Sequence, residues 1–279
     1  MSYKTILVHL DGSERCAERI SIAFRMAEGY RGHVVGLFAM ASARLPSSAL
    51  AEGGPVVIEA EARRRASIEQ SAEKNFRDAM RNYSSATAEW RSSPQDALAA
   101  LRLSARYADV VIAGQPNIHL DDRAETPAWF AAELVLSAGR PVIFIPYVGE
   151  FRVVGRRVLI AWDGGREAAR AVTDALPLLE RASHVDVVAF DPERSPRHGE
   201  MPGADISLYL ARHGVKVTLA QQSGSGIDVG AQLLSRAADA QTDLIVMGAY
   251  GHSRLRELVL GGVTRTLLET MTVPVLMSH

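Results

Sequence analysis

Several features that mark other classes of protein are scarce or missing in this sequence of 279 residues. It contains a single cysteine, Cys16, so no disulfide can form within the chain, and a reducing compartment is predicted. No apolar run approaches the roughly 18 residues of a membrane span, and the first residues lack the pattern of a signal peptide. The 31 basic and 32 acidic residues nearly cancel, which disfavours binding to nucleic acid or a membrane surface. These absences predict a soluble, cytoplasmic protein.

Two segments of the chain begin alike, which indicates an internal repeat. "TILVHLDGS" starts at Thr5 and "RVLIAWDGG" starts at Arg157, and each reads as an apolar strand, an Asp-Gly corner and an amphipathic helix. Both halves continue as alternating strands and helices, and their strands are continuous apolar runs, as in sheets covered on both faces. We predict an α/β fold with two tandem doubly wound, Rossmann-like domains, 1–150 and 151–279, each with a parallel five-stranded sheet.

The last strands of the two halves are predicted to pair with each other. They read "PVIFIP" and "PVLMS", and such apolar strands at a sheet edge need covering. Their pairing would pack the two domains as an internal pseudo-dimer, and a homodimer of the whole chain is compatible with the same pattern. Two local predictions concern helices. Pro177 should kink or break its helix, and the Pro/Gly/Ser-rich stretch before the stripe of Ile68, Ala72, Phe76 and Met80 reads as a loop.

The second half carries four glycines shortly after its fourth strand, in "MGAYGHSRLRELVLGG" from Met247 to Gly262. In an open α/β sheet a ligand binds beyond the carboxyl ends of the strands where the strand order reverses, which here means between "AWDGG" and "MGAYG". Asp163 is therefore expected to face Gly248 and to accept hydrogen bonds from ribose hydroxyls. Gly248 and Gly251 would permit tight turns whose N–H groups form a concavity for an anion.

The later glycines stand where a helix should begin. Gly261 and Gly262 open "VTRTLLETM", and the first N–H groups of a helix, at its positive dipole end, favour phosphate. His252 and Arg254 would add positive charge nearby. Each feature also has a purely structural interpretation: a strand end, a turn, a helix junction, or a turn and N-cap role for Asp163.

The spacing Gly248-x2-Gly251-x9-Gly261, followed by "VPVLM", resembles the nucleotide-binding signature of the universal stress protein family. The resemblance covers nearly the whole chain as two consecutive domains, with the motif in the second half alone. It implies ATP or AMP as the ligand. The contacts that it implies are Ala161 and Asp163 at the adenosine end, backbone atoms of Ala189 or Phe190 at adenine, Met247 and Gly248 on the nucleoside, and backbone N–H groups of Gly251, Gly261, Gly262 and Val263 on phosphates.

One position departs from the family pattern. Nucleotide binders of the family usually carry Ser or Thr where this chain has Gly262. The lost hydrogen bond to a charged oxygen is worth about 1.5–3 kcal/mol, which would weaken phosphate binding about 10- to 100-fold. Thr264 compensates only if the start of the helix presents its hydroxyl.

The first half reads as a degenerate copy of the motif. It keeps Asp11 and Gly114, but Pro116 removes a backbone donor and Ala128 stands where the second half has Gly261. The stretch between them, with "DD" and Glu125, brings negative charge where phosphate needs the opposite. We expect this half to act as a structural partner rather than as a second nucleotide site.

These observations predict a stress-response protein that binds an adenine nucleotide in its second domain and acts as a sensor or regulator through an unknown protein partner. The alternatives are a nucleotide-free interaction or scaffold protein and a weak ATP hydrolase, with Mg²⁺ bridging the phosphates if ATP is bound. No catalytic or metal-binding set is predicted. Cys16 lies on a buried helical stripe, and the eight histidines include no HxxxH or HxH pair.

Overall fold

The computed structural model describes residues 2–40, 47–83, 85–116, 127, 129–190, 203–222, 228–251 and 262–279, and the side chains of 47–53 and 190 are not described. These residues form ten strands and eight helices, which alternate except that β6 follows β5 directly. The strands are β1 (Thr5–Leu10), β2 (His33–Phe38), β3 (Thr87–Ser92), β4 (Val110–Gly114), β5 (Val142–Ile145), β6 (Arg157–Trp162), β7 (His184–Phe190), β8 (Val217–Gln222), β9 (Leu244–Gly248) and β10 (Val275–Ser278). The helices are α1 (Cys16–Tyr30), α2 (Ser47–Asn82), α3 (Ala97–Ala105), α4 (Trp129–Ala138), α5 (Arg166–Leu179), α6 (Ala204–Arg212), α7 (Val229–Asp239) and α8 (Gly262–Thr270).

The strands form one sheet in the order β3-β2-β1-β4-β5-β10-β9-β6-β7-β8. Within each set of five the neighbours are parallel, and the sets join where β5 and β10 pair antiparallel, with Leu276 opposite Ile143. The predicted α/β class with a mainly parallel sheet is confirmed, as is the pairing of the last strands. The sheets predicted as two are one continuous ten-stranded sheet.

Helices cover both faces of this sheet, which explains the unbroken apolar strands. One buried cluster lies under α1, α2, α5 and α6, and the other lies under α3, α4, α7 and α8. Both clusters contain residues from the two halves of the chain, so removal of apolar area from water holds the halves together. Cys16 lies in the first cluster and is 5% exposed, in agreement with its predicted place on a buried stripe.

One local prediction about a helix is wrong, and of the kink or break predicted at Pro177 the break is excluded. The stretch predicted as a loop before Ile68 is helical from Ser47, and α2 continues through Pro55 to Asn82. Pro177 does not end α5, which runs on to Leu179. Pro177 lies in the last turn, and the carbonyl of Leu176 before it still accepts a hydrogen bond from Glu180 N at 2.9 Å. Burial of the residues around Pro177 outweighs the loss of one backbone donor.

Candidate functional site: two crevices at the carboxyl ends of the strands

The strand order reverses at two points, between β1 and β4 and between β6 and β9. We call the space beyond Asp11 and Gly114 the first crevice and the space beyond Asp163 and Gly248 the second crevice. The paired strands of each crevice are parallel and in direct contact, so both chain segments leave the sheet side by side. Such switch points are the usual ligand sites of open α/β sheets.

Asp163 and Gly251 lie close together over the second crevice. A Cβ atom added to Gly251 would lie 3.6 Å from Asp163 Oδ2. Asp163 Oδ1 accepts a hydrogen bond from Gly165 N at 2.8 Å and so fixes the turn before α5. The Asp163 side chain is exposed. The structural interpretation of this aspartate and the ligand interpretation are thus compatible, because one oxygen fixes the turn while the other lies near Gly251.

Gly248 is enclosed by the start of α5. A Cβ atom at this position would lie 2.5 Å from the carbonyl carbon of Glu167 and closer still to Ala168 N. Real Cβ atoms do not approach backbone atoms so closely, so the missing side chain is what lets α5 pack against the end of β9. Gly248 therefore has a structural role in addition to any contact with a nucleoside.

Glu167 is a residue of the second crevice that the sequence interpretation missed. Its side chain is 5% exposed, and its Oε2 would lie 3.0 Å from a Cβ atom on Gly251. Burial by itself raises the pKa of Glu167, but the hydrogen bond from Arg166 Nε, at 2.5 Å, and the nearby His279 hold that pKa below its usual value. The crevice therefore contains a second carboxylate. The sequence did contain a signal for Glu167, because it is an acidic residue in the first turn of α5, the helix that follows β6.

Two of the predicted phosphate contacts, Gly262 and Val263, lie at the start of α8, whereas Thr264 in the same turn is buried. No described atom lies within 4 Å of a Cβ atom added to Gly262, and this residue is exposed. Val263 is half-buried against the core. Thr264 is 4% exposed, and Tyr250 N donates a long hydrogen bond of 3.5 Å to its hydroxyl. Because Thr264 faces inward, it does not replace the hydroxyl missing at Gly262.

The remaining predicted contacts follow the strand register. Ala161, half-buried, and Met247, 5% exposed, are paired neighbours in β6 and β9. Ala189 is fully buried in β7 beside Trp162, and the backbone of Phe190 ends that strand. The described residues therefore bring Ala161, Asp163, Met247, Gly248 and Gly251 to one end of β6 and β9. His252, Arg254 and Gly261 lie outside the described residues.

Arg19 occupies the first crevice. Its Nη2 lies 2.5 Å from Asp11 Oδ1, and the two side chains are 2% and 4% exposed. Nη1 donates to Ser13 Oγ at 3.0 Å and Nε donates to the carbonyl of His9 at 3.1 Å. A Cβ atom on Gly114 would lie 2.6 Å from Arg19 Nη1, so the glycine leaves room for the guanidinium. Ala128, Glu125 and the neighbouring aspartates lie outside the described residues.

His9 completes this buried polar group. Its Nε2 lies 2.9 Å from the Ala39 carbonyl oxygen, and its Nδ1 lies 3.8 Å from Asp11 Oδ2 with no hydrogen-bond partner. Burial lowers the pKa of His9, which keeps the ring neutral. Burial opposes ionisation of Asp11 too, but the Arg19 guanidinium and the hydrogen bonds from Ser13 hold the pKa of that carboxyl well below its usual range. The first crevice thus holds a closed ion pair.

Comparisons with known proteins agree with this architecture. Residues 155–279 match the model of the universal stress protein family. A universal stress protein from Synechocystis is 50% identical over 38 residues, a match that covers 14% of this chain and only 13% of that relative.

Solved structures resemble the whole chain. A universal stress protein from Archaeoglobus fulgidus superposes with a TM-score of 0.68 at 14% identity, covering 98% of this chain and 97% of its own. A putative universal stress protein from Pseudomonas aeruginosa gives a TM-score of 0.61 at 16% identity, covering 99% and 93%. At such identities the likeness establishes a shared fold, which here extends over both halves.

Two further properties concern the described part of the chain. Within it, no helix is long and apolar enough to span a membrane. Across the same residues, no three side chains of the types His, Cys, Asp or Glu lie together as a set of metal ligands.

Proposed function

We propose that this chain is a tandem universal stress protein whose second domain, 151–279, binds an adenine nucleotide in the second crevice, while 1–150 form a degenerate domain. The observation that carries the proposal is the position of Asp163: an exposed carboxylate 3.6 Å from the Cβ position of Gly251, at a topological switch point. The match of the family model to residues 155–279 supports the same half. The antiparallel pairing of β5 with β10 supports an arrangement of the two halves as an internal pseudo-dimer.

The nucleoside end of the ligand fits the described residues best. The exposed carboxylate of Asp163 would accept hydrogen bonds from the ribose hydroxyls, and its Oδ1 also accepts from Gly165 N. The paired Ala161 and Met247 would lie beneath the sugar, and backbone atoms of Ala189 or Phe190 would contact adenine.

The phosphate end fits less well. Backbone N–H groups of Gly251, Gly261, Gly262 and Val263 would bind phosphate oxygens at the start of α8, with His252 and Arg254 as nearby cations. The buried carboxylate of Glu167, beside Gly251, opposes them. With ATP, Mg²⁺ would bridge the phosphates and reduce their charge. We therefore propose AMP or ATP as the ligand, with most of the binding energy on the nucleoside.

The proposed role is that of a cytoplasmic sensor or regulator whose contact with a partner protein depends on nucleotide occupancy. One observation favours the alternative, a nucleotide-free interaction protein. Gly248 is required by the packing of α5, so at least one glycine of the motif would be retained without any ligand. Slow ATP hydrolysis is a weaker alternative, and no catalytic residue is assigned to it.

Isothermal titration with AMP, ATP and adenosine tests the proposal. We expect binding of adenine ligands to the purified protein, and loss of at least tenfold in affinity in Asp163→Ala because the ribose loses an acceptor. Asp239→Ala is the matched control. This exposed aspartate is the last residue of α7 and lies near the amino ends of the strands, away from the crevice at their carboxyl ends. If millimolar nucleotide neither binds nor raises the melting temperature, the proposed nucleotide binding is wrong and the interaction-protein alternative is favoured.

A further inference from the structure

The two crevices share one pattern and differ at one helical position. When Asp11 is aligned with Asp163, Arg19 of α1 stands opposite Ala171 of α5. Ala171 is fully buried and brings no polar group to the second crevice. Arg19, also 1% exposed, extends its guanidinium to the acidic corner of the first crevice. The same aspartate is therefore covered in one half and exposed in the other.

The Arg19 guanidinium occupies the hydrogen-bond acceptors that a ligand in the first crevice would need. It binds Asp11 Oδ1, the Ser13 hydroxyl and the His9 carbonyl, and so fills the acceptors around the corner. A ligand hydroxyl reaching Asp11 would have to displace a charged, buried partner. Breaking one side of a buried ion pair is strongly unfavourable because it leaves the other charge uncompensated.

Gly114 and Gly248, the glycines at the matching strand ends of the two halves, leave room for different groups. Gly114 makes room for the end of a side chain, with Arg19 Nη1 2.6 Å from its Cβ position. Gly248 makes room for the backbone of α5 at Glu167 and Ala168. The first helix is thus held away from its glycine by the arginine, whereas the second helix contacts its glycine directly.

We propose that Arg19 determines how many ligands the chain binds: its guanidinium takes the ligand's place beside Asp11 and keeps the first crevice closed. The matching position of the second half is Ala171, which brings no charged group to Asp163. This inference rests on the proposed function, since it presumes that the open crevice binds an adenine nucleotide.

The test is the stoichiometry of binding in Arg19→Ala, which gives the first half the residue found in the second. ATP and adenosine are the probes in isothermal titration, and photolabelling with 8-azidoadenosine followed by peptide mapping shows which half is labelled. With adenosine we expect one site per chain in the wild type, two in the variant, and new label in residues 1–150. With ATP we expect one site in both, because Pro116 and Ala128 leave the first half without the phosphate donors of the second. Arg25→Ala is the control. It removes the same charge from the same helix, where Arg25 is 33% exposed and binds the Phe151 carbonyl instead, and it should keep one site.

A second variant, Asp11→Asn with Arg19→Ala, tests the proposal if Arg19→Ala alone does not fold. Arg19→Ala leaves Asp11 buried and unpaired, whereas Asp11→Asn with Arg19→Ala keeps an acceptor oxygen without a buried charge. Two sites in a folded variant support the proposal. One site in folded variants, with label in the second half alone, overturns it and leaves the proposed function intact. Two sites in the wild type overturn it together with the degenerate role proposed for 1–150. If neither variant folds, Arg19 serves folding rather than exclusion and the proposal is withdrawn. If no probe binds any of the proteins, the proposed function fails and this inference fails with it.

Discussion

Gly248 at the end of β9 lies directly against the backbone of Ala168 in the first turn of α5. A glycine that a binding motif marks as a ligand contact is thus also a packing residue. The consequence is practical, because substitution of Gly248 changes the fold and the crevice together. Gly251, three residues later, has side-chain atoms as its nearest neighbours. A substitution there therefore changes the crevice without an overlap with the α5 backbone.

Gly248→Ala should lower the free energy of unfolding by about 1–3 kcal/mol, because its Cβ would overlap the α5 backbone. Gly251→Ala should cost clearly less, since its nearest neighbour is Glu167 Oε2, the end of a side chain that can move. Urea denaturation of both variants measures the difference. Equal losses of unfolding free energy in the two variants would show that the packing of α5 does not require a glycine at position 248.

Glu167→Gln should change affinity according to ligand charge. Two unit charges about 6 Å apart interact by roughly 3 kcal/mol at an effective dielectric constant of about 20. Removing the carboxylate should therefore strengthen ATP binding at least tenfold, AMP binding less, and adenosine binding not at all.

Titration of the three ligands against this variant gives the order of the effects. Glu150→Gln is the control, because Glu150 is 79% exposed in the segment between the two halves. A uniform change in affinity for all three ligands would mean that Glu167 positions the site rather than repelling phosphate.

Gly262→Ser should restore the hydroxyl that the family pattern has at the start of α8. No described atom lies within 4 Å of the new Cβ, so the side chain can be added without displacing the described core. We expect about 10- to 100-fold tighter binding of AMP or ATP and no gain for adenosine. Gly262→Ala adds the Cβ alone, so an equal gain in that variant would rule out the hydroxyl as the cause.

His9 should make stability fall as the solution becomes acidic. Burial lowers its pKa, so the folded protein keeps the ring neutral while the unfolded chain takes up a proton near its ordinary pKa of about 6.5. The stabilising effect is therefore complete above about pH 6.5 and is lost as pH falls, by at most about 1.4 kcal/mol per pH unit.

The measurement for His9 is the free energy of unfolding in urea between about pH 7 and pH 5, compared with His9→Gln. The glutamine amide can still donate to the Ala39 carbonyl, but it does not titrate. The depressed pKa of Asp11 acts in a lower range, below its unfolded value of about 3.9. Parallel pH profiles for the two proteins would exclude His9 as the source.

Much of the fold was predictable because it depends on local patterns. The alternation of apolar runs and amphipathic helices predicted the strands, and the repeat of "LDG" and "WDG" located the two corners. The errors occurred at two prolines: Pro177 lies within α5 among buried neighbours, and α2 is helical through Pro55 although that residue is exposed. In the second crevice, Asp163 and Gly251 were predicted from the motif, whereas Glu167 was not.

The sequence by itself determined the class of fold, the repeat, and the end of the sheet at which Asp163 and Gly251 meet, because periodicity and strand order follow from the chain. Only the tertiary structure decided what each crevice contains. Arg19 is eight residues from Asp11, and the α1 backbone returns its guanidinium to that carboxylate. Such a contact depends on how a helix lies on a sheet, which long-range packing sets.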